Sequence, residues 1–223
     1  MDDLQRRQFI ARVRAFQTHD DPSGWCDQVY IDAQGDVNAV FWADRVASPY
    51  LLAWLAGHPA TARPLRAITV GCGVGDDAEA LAAHGYAVTA FDISPAAIAL
   101  CRQRFPDSRV DYCVADLFDY PADWAQRFDL VFECNTIQIM AGAYRIKALN
   151  AIARLVAPGG DVLVSCRSRA IACQLDAFPL PLDQTEIDGF VGAGLVQTAF
   201  VAYDDDQQPP VPHFFACYQR PPA

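Results

Sequence analysis

The spacing of apolar residues changes along the chain, and the change separates an arm from a core. In residues 1–17, Leu4, Phe9, Ile10, Val13 and Phe16 recur at helical intervals among acids and arginines, which predicts a first helix. Thr18–Gly35 then mixes Asp, Pro, Gly and aromatic residues without a clear period, and Tyr50-Leu51-Leu52-Ala53-Trp54-Leu55 predicts a second helix. From Leu65 onward, short apolar runs alternate with longer helical patterns, as strand–helix–strand units feeding a parallel sheet do. Strands are expected at Leu65–Val70, Tyr86–Asp92, Arg109–Val114, Phe128–Glu133 and Asp161–Cys166. Helices are expected at Asp76–His84, Pro95–Phe105, Ala143–Val156 and Asp183–Ala193, with Gly85, Pro158-Gly159-Gly160 and Gly194 as stop signals. Two late strands, near Leu195–Tyr203 and His213–Gln219, flank an Asp204–Pro212 loop and predict a hairpin closing the sheet. No repeat or linker divides the chain. Residues 1–223 are therefore read as one domain, with residues 1–60 as an N-terminal cap and residues 61–223 as the core.

Composition narrows the class of partner. With 223 residues, 52% of them hydrophobic, the chain can bury one sizeable core. A formal net charge of −10 leaves no basic stripe to neutralise a phosphate backbone, which argues against nucleic acid and for a small-molecule partner. The eight cysteines (Cys26, Cys72, Cys101, Cys113, Cys134, Cys166, Cys173 and Cys217) show no CxxC pair or repeated spacing. They read as reduced thiols of a cytoplasmic protein, with no metal site. The charged N-terminus does not read as a signal peptide, no apolar run is long enough to span a bilayer, and a monomer is the expected state.

The chemistry centres on Gly71-Cys72-Gly73-Val74-Gly75, where a strand ends in a glycine-rich turn and a helix begins. Such a turn brings backbone close to a ligand. In the dinucleotide fingerprint a third glycine would stand at the position of Asp76, and a carboxylate there meets a pyrophosphate badly. S-adenosylmethionine carries no phosphate and has a cationic sulfonium and ammonium, so the spacing favours this cofactor. Asp92, at the end of the second strand, can accept both ribose hydroxyls while Ile93 packs on the adenine; Asp116, with Leu117 after the third strand, can meet the adenine amino group. Each residue alone has an ordinary structural reading as a turn or cap. Together, in order, each at the carboxyl end of its own strand, they match the crevice where open α/β sheets bind ligands.

These residues resemble motif I (ITVGCGVGDDAEAL), the ribose acid (AFDIS) and the adenine loop (VADLF) of the class I methyltransferases, over the chain from about Trp42 to the C-terminus. Within that superfamily the chain resembles the thiopurine S-methyltransferase-like group, which includes thiol, halide and chalcogen methyltransferases. The points of likeness are an aromatic-rich arm with Trp42, the GCGxGxD turn, DISPxAI and FDLVFE. Thr69 stands where many class I enzymes carry an acid, a departure shared by the thiopurine-like group. The resemblance implies an α/β, Rossmann-like, seven-stranded, mostly parallel sheet with helices on both faces, an antiparallel C-terminal hairpin and an N-terminal helical cap. It also implies S-adenosylmethionine as cofactor, Trp42 against it, and Arg145 as a contact to substrate.

Methyl transfer from a sulfonium is an in-line displacement that depends on positioning, and a thiolate or halide needs no dedicated base. For an oxygen or nitrogen nucleophile, Glu133, Asp119, His19 and His213 are candidate bases. Glu133, closing the fourth strand, is expected both beside the cofactor and, with Arg145, in the catalytic set; the alternatives are a helix-capping or loop-ordering carboxylate and a solvated helix arginine. Asn135 and Gln138 could donate hydrogen bonds, Phe178-Pro179-Leu180-Pro181 could form a substrate wall, and Cys134 reads as a buried thiol. The first expectation is methyl transfer to a thiol or another soft nucleophile. The alternatives are an O- or N-methyltransferase and a non-catalytic module binding the cofactor; the glycine spacing argues against a nicotinamide oxidoreductase.

Overall fold

The computed structural model describes residues 11, 13, 24–171 and 178–223; the helix expected near the N-terminus lies almost wholly outside them, as do His19 and Cys173. The arm supplies α1 (Gly24–Ala33) and α2 (Pro49–Gly57). The core follows as β1 (Arg66–Val70), α3 (Asp76–Ala83), β2 (Ala87–Asp92), α4 (Pro95–Arg104), β3 (Asp111–Val114) and β4 (Phe128–Cys134). It ends with α5 (Gly142–Leu155), β5 (Val156–Arg167), two short helices α6 (Gln184–Ile187) and α7 (Gly189–Gly192), β6 (Val196–Asp204) and β7 (Pro212–Gln219). The seven strands form one sheet in the order β3-β2-β1-β4-β5-β7-β6. β1 to β5 pair in parallel, and β7 joins β5 and β6 antiparallel. This is the α/β architecture expected from the sequence.

Period-two alternation sorts the strand residues onto two faces. Ile68, Val70, Phe91, Val131, Val162 and Val164 pack with Leu149 and Ile152 of α5. Ala67, Ala90, Leu130, Phe132 and Leu163 pack with Leu51 and Leu55 of α2, Leu81 of α3 and Ile98 of α4. The arm therefore completes one face of the core through α2. Helix starts carry local signals: Ser48 and Ser94 accept hydrogen bonds from Leu51 N and Ala97 N, and Pro49 and Pro95 open the helices that follow.

Three elements differ from expectation. Gly24–Ala33 is helical although its sequence carries no clean period; Trp25, Val29 and Tyr30 are buried by tertiary contacts. The Pro158-Gly159-Gly160 run lies inside β5, where the pairing with β4 shifts register between Phe128 and Leu130. A Cβ on Gly160 would stand 2.9 Å from Asp129 O, so the strand passes there only as glycine. The single helix expected over Asp183–Ala193 is broken at Asp188, and a Cβ on Gly189 would meet Leu149 Cδ1 at 2.8 Å. Among the described residues no helix is long and apolar enough to cross a membrane.

Candidate active site

The glycine turn leaves β1 at the carboxyl edge of the sheet, between the ends of β2 and β4. Gly71 and Gly75 have φ of 58° and 94°, in the left-handed region. A Cβ on Gly71 would come 2.4 Å from Thr136 Oγ1, and one on Gly75 would come 2.6 Å from the Tyr112 hydroxyl, so both positions need glycine for space as well as for φ. The turn is fastened to β2 by Cys72 N donating to Phe91 O at 2.9 Å and Gly73 N donating to Asp92 Oδ2 at 3.0 Å.

Asp92 is buried, and its other oxygen accepts from Ser94 N at 2.9 Å. Burial pushes its carboxyl up to about 6, against the pull of the Ser94 and Gly73 amides. Ile93, the next residue, is 38% exposed, an apolar side chain left open beside a buried acid. Asp116 accepts from Phe118 N at 2.8 Å and so shapes its own turn. Leu117, expected against the cofactor, instead packs into the core with Phe91 and Ile137.

Two residues on α1 join the site without having been singled out from the sequence. Tyr30 accepts a hydrogen bond from Trp42 Nε1 at 3.2 Å, and its hydroxyl would lie 3.3 Å from a Cβ on Gly73. Burial, and then the charge of Asp92, hold the Tyr30 hydroxyl well above its usual pKa. Asp27, one helical turn before Tyr30, accepts from Ser94 Oγ at 2.6 Å and from Ala96 N at 3.2 Å. Trp42 thus reaches the glycine turn through Tyr30, and the arm is tied to the end of β2. The signal for this was the three-residue spacing of Asp27 and Tyr30, hidden in a segment that did not read as a helix.

Glu133 is fully buried at the end of β4. Its Oε1 accepts from Thr136 N at 2.5 Å and Ile137 N at 2.9 Å, while Oε2 has no hydrogen-bond partner among the described residues. Burial pushes the carboxyl up to about 7, the two amides pulling against it. Thr136 in turn donates from Oγ1 to Val70 O at 3.1 Å and packs over Gly71. Glu133 therefore orders the loop that lies on the glycine turn. Asn135 takes a left-handed φ of 65° and is exposed at this loop, whereas Gln138 is buried, with Oε1 accepting from Arg167 N at 2.7 Å.

Arg145, expected at the substrate or in solvent, is instead 1% exposed. One guanidinium nitrogen pairs with Glu186 and another donates to Leu180 O at 2.5 Å. Glu186 and Asp183 also bind Arg169, each at 2.8 Å. The cluster clamps the loop through Leu180 and α6 onto the start of α5. Burial raises the Cys134 thiol well above its usual range, which removes it as a nucleophile. Asp119 is exposed, and His213 lies buried on β7, beyond β5. Among the described residues no group of His, Cys, Asp or Glu converges as a metal site.

Comparison with known proteins places this geometry. Residues 67–160 match the family model described as a methyltransferase domain. A Burkholderia thailandensis 1,6-didemethyltoxoflavin-N1-methyltransferase, solved with 1,6-didemethyltoxoflavin and S-adenosylhomocysteine, superposes with a TM-score of 0.69 at 19% identity, covering 90% of this chain and 87% of that one. The fold is the Rossmann-like methyltransferase fold. An N-methyltransferase of Bradyrhizobium japonicum, solved with S-adenosylhomocysteine, shares the methyltransferase fold at a TM-score of 0.63 and 20% identity, over 77% of this chain and 84% of that one. In sequence, the ubiquinone biosynthesis O-methyltransferase of Thiobacillus denitrificans is 33% identical over 139 residues, 60% of this chain; the match spans 57% of that relative's length.

Proposed function

We propose that the chain is an S-adenosylmethionine-dependent methyltransferase acting on a small molecule, with an oxygen nucleophile as the first reading. The observation that carries it is the coupling of the Gly73 amide to the buried Asp92 carboxylate, at the foot of a glycine turn too tight for any Cβ at Gly71. A ribose fits the acid, an adenine fits the open Ile93 and the Asp116 turn, and a cation suits a crevice beside the Asp92 carboxylate. These residues fit the cofactor without a phosphate site.

The bound cofactor supplies an electrophilic methyl group on a sulfonium. The protein's part is positional: the glycine turn and Asp92 hold the cofactor, Tyr30 and Trp42 close the arm over the turn, and Glu133 fixes the loop beside it through Thr136. With one oxygen of Glu133 engaged by two loop amides, it acts as a positioning residue. An in-line displacement gains most of its rate from such alignment.

The oxygen reading draws on the name of the Thiobacillus denitrificans relative; a sulfur acceptor draws on the sequence resemblance to the thiopurine-like group. Labelled-methyl transfer assayed against matched phenols, thiols and amines decides between them, with turnover expected on phenols first. Micromolar binding of S-adenosylhomocysteine together with no transfer to any acceptor would sink the catalytic reading and leave a binding module.

A further inference from the structure

Beyond the cofactor turn, a second group of polar and aromatic side chains gathers at the carboxyl edge of the sheet. Arg167 ends β5, and in the β5–β7 ladder it stands opposite His213. It lies on the same face of β5 as Leu163 and Ser165, and it extends two residues past the Cys134–Ser165 pair, about 7 Å above the rim where β4 ends. The backbone amide of Arg167 is held by Gln138. Its guanidinium, partly exposed, has no hydrogen-bond partner and no carboxylate within 4.0 Å among the described residues, unlike the ion-paired Arg145 and Arg169 nearby.

The surroundings of this free cation are built. Tyr50 from α2 stacks on Tyr203 of β6 at 3.9 Å, and Tyr203 stacks on His213 at 5.3 Å, making one continuous aromatic wall. His213 Nδ1 lies 2.8 Å from Val211 O, which orients the ring. Asp44 on the arm feels Arg167 and His213, yet partial desolvation, and then Asp205, keep its carboxyl above the usual range. Asp205 accepts from Gln207 N and Val211 N in its own loop, and its Oδ2 lies 3.9 Å from His213 Nδ1.

We propose that Arg167 is the anchor for an anionic group of the methyl acceptor, and that the acceptor is an aromatic acid about one ring long. The ring lies along the Tyr50–Tyr203 wall, its carboxylate meets the Arg167 guanidinium, and its nucleophilic atom points back across β4 toward the glycine turn. Arg167 and that turn are two strand spacings apart across the sheet, about 10 Å, which a hydroxybenzoate or mercaptobenzoate spans and a polycyclic acceptor overfills. A planar guanidinium suits a carboxylate by a two-point hydrogen bond. This assignment rests on the methyltransferase reading and names its acceptor class.

The test uses acid and neutral twins: 3,4-dihydroxybenzoate against catechol, and 4-mercaptobenzoate against thiophenol. Calorimetric titration into the complex with S-adenosylhomocysteine should show each acid binding about 10- to 100-fold tighter than its twin. Arg167→Gln should bring the ratio to within about twofold, and Arg167→Lys, which keeps the charge and loses the planar fork, should leave an intermediate ratio. Equal binding of the twins to the unaltered protein, or a ratio that neither substitution changes, overturns the anchor. Labelled-methyl transfer separates the two claims. Transfer to both twins alike keeps the methyltransferase and overturns the anchor, whereas tight binding of the acids without transfer keeps the anchor and sinks the methyltransferase.

Discussion

At the scale of single residues, the site depends on groups held in states they would not adopt in water. Gly71 is the clearest case, because a side chain there meets both a left-handed φ and the Thr136 hydroxyl. Gly71→Ala should weaken S-adenosylhomocysteine binding at least about tenfold, measured by calorimetry, since left-handed strain of about 1–2 kcal/mol adds to the clash. Glu133 makes a prediction with a sign. Its carboxyl is raised from 4.5 to about 7, so between those values the folded state holds a proton that the unfolded state has lost. Stability therefore falls as pH rises through that window, by about 3 kcal/mol when complete. Glu133→Gln keeps an acceptor for the Thr136 and Ile137 amides and removes the buried charge. Its pH profile should be shallower than that of the unaltered protein over this range, the remaining slope coming from the raised carboxyls of Asp92 and Asp77, and its stability should exceed that of the unaltered protein at pH 8, as read from urea denaturation at both ends; parallel pH profiles would refute the assignment.

At the scale of elements, what was legible depended on whether the cause was local. The βα units were, because period-two runs, Gly75 before α3, Ser94-Pro95 before α4 and Gly85 after α3 are signals carried within a few residues. So were Gly71, Gly73 and Asp92, since the end of a strand is a place that sequence marks. α1 was not, because Trp25 and Tyr30 are ordered by Trp42 and Phe178, contacts far along the chain or in space. Nor was the burial of Arg145: an arginine in an amphipathic helix reads as solvated unless its partners, Glu186 and Leu180 O, can be seen beside it. Arg145→Ala should lower stability by about 3–5 kcal/mol, because truncation leaves Glu186 and Arg169 in an unbalanced, partly buried cluster. Arg145→Met, which refills the space, should recover part of that loss together with Glu186→Gln. Denaturant midpoints of the single and the double variant check this, and a loss under about 1 kcal/mol for Arg145→Ala would mean the clamp is not holding α6.

At the scale of the whole molecule, the net charge of −10 sets a field that the two forms of the cofactor feel differently. S-adenosylmethionine carries a sulfonium and an ammonium against one carboxylate and is a net cation, whereas S-adenosylhomocysteine has lost the sulfonium and is neutral. The crevice adds its own share, with Asp92 and Glu133 buried at the strand ends and Asp76 and Asp77 opening α3. Asp76 is paired with Arg104 at 2.7 Å, whereas Asp77 accepts from the Ser48 amide at 2.7 Å and has no cation within 4.0 Å among the described residues. An acidic surface raises the local concentration of a cation and speeds its arrival, and salt removes that advantage as the screening length falls from about 20 Å at 20 mM to about 4 Å at 500 mM. Association of S-adenosylmethionine should therefore slow several-fold across that range, while S-adenosylhomocysteine changes by less than about twofold. Stopped-flow quenching of Trp42 and Trp25, which lie in edge contact near the turn, gives the rates. Equal salt dependence for the two ligands would mean that the acidity serves solubility alone; a steeper dependence for the cation would make it part of how the product is exchanged for fresh cofactor.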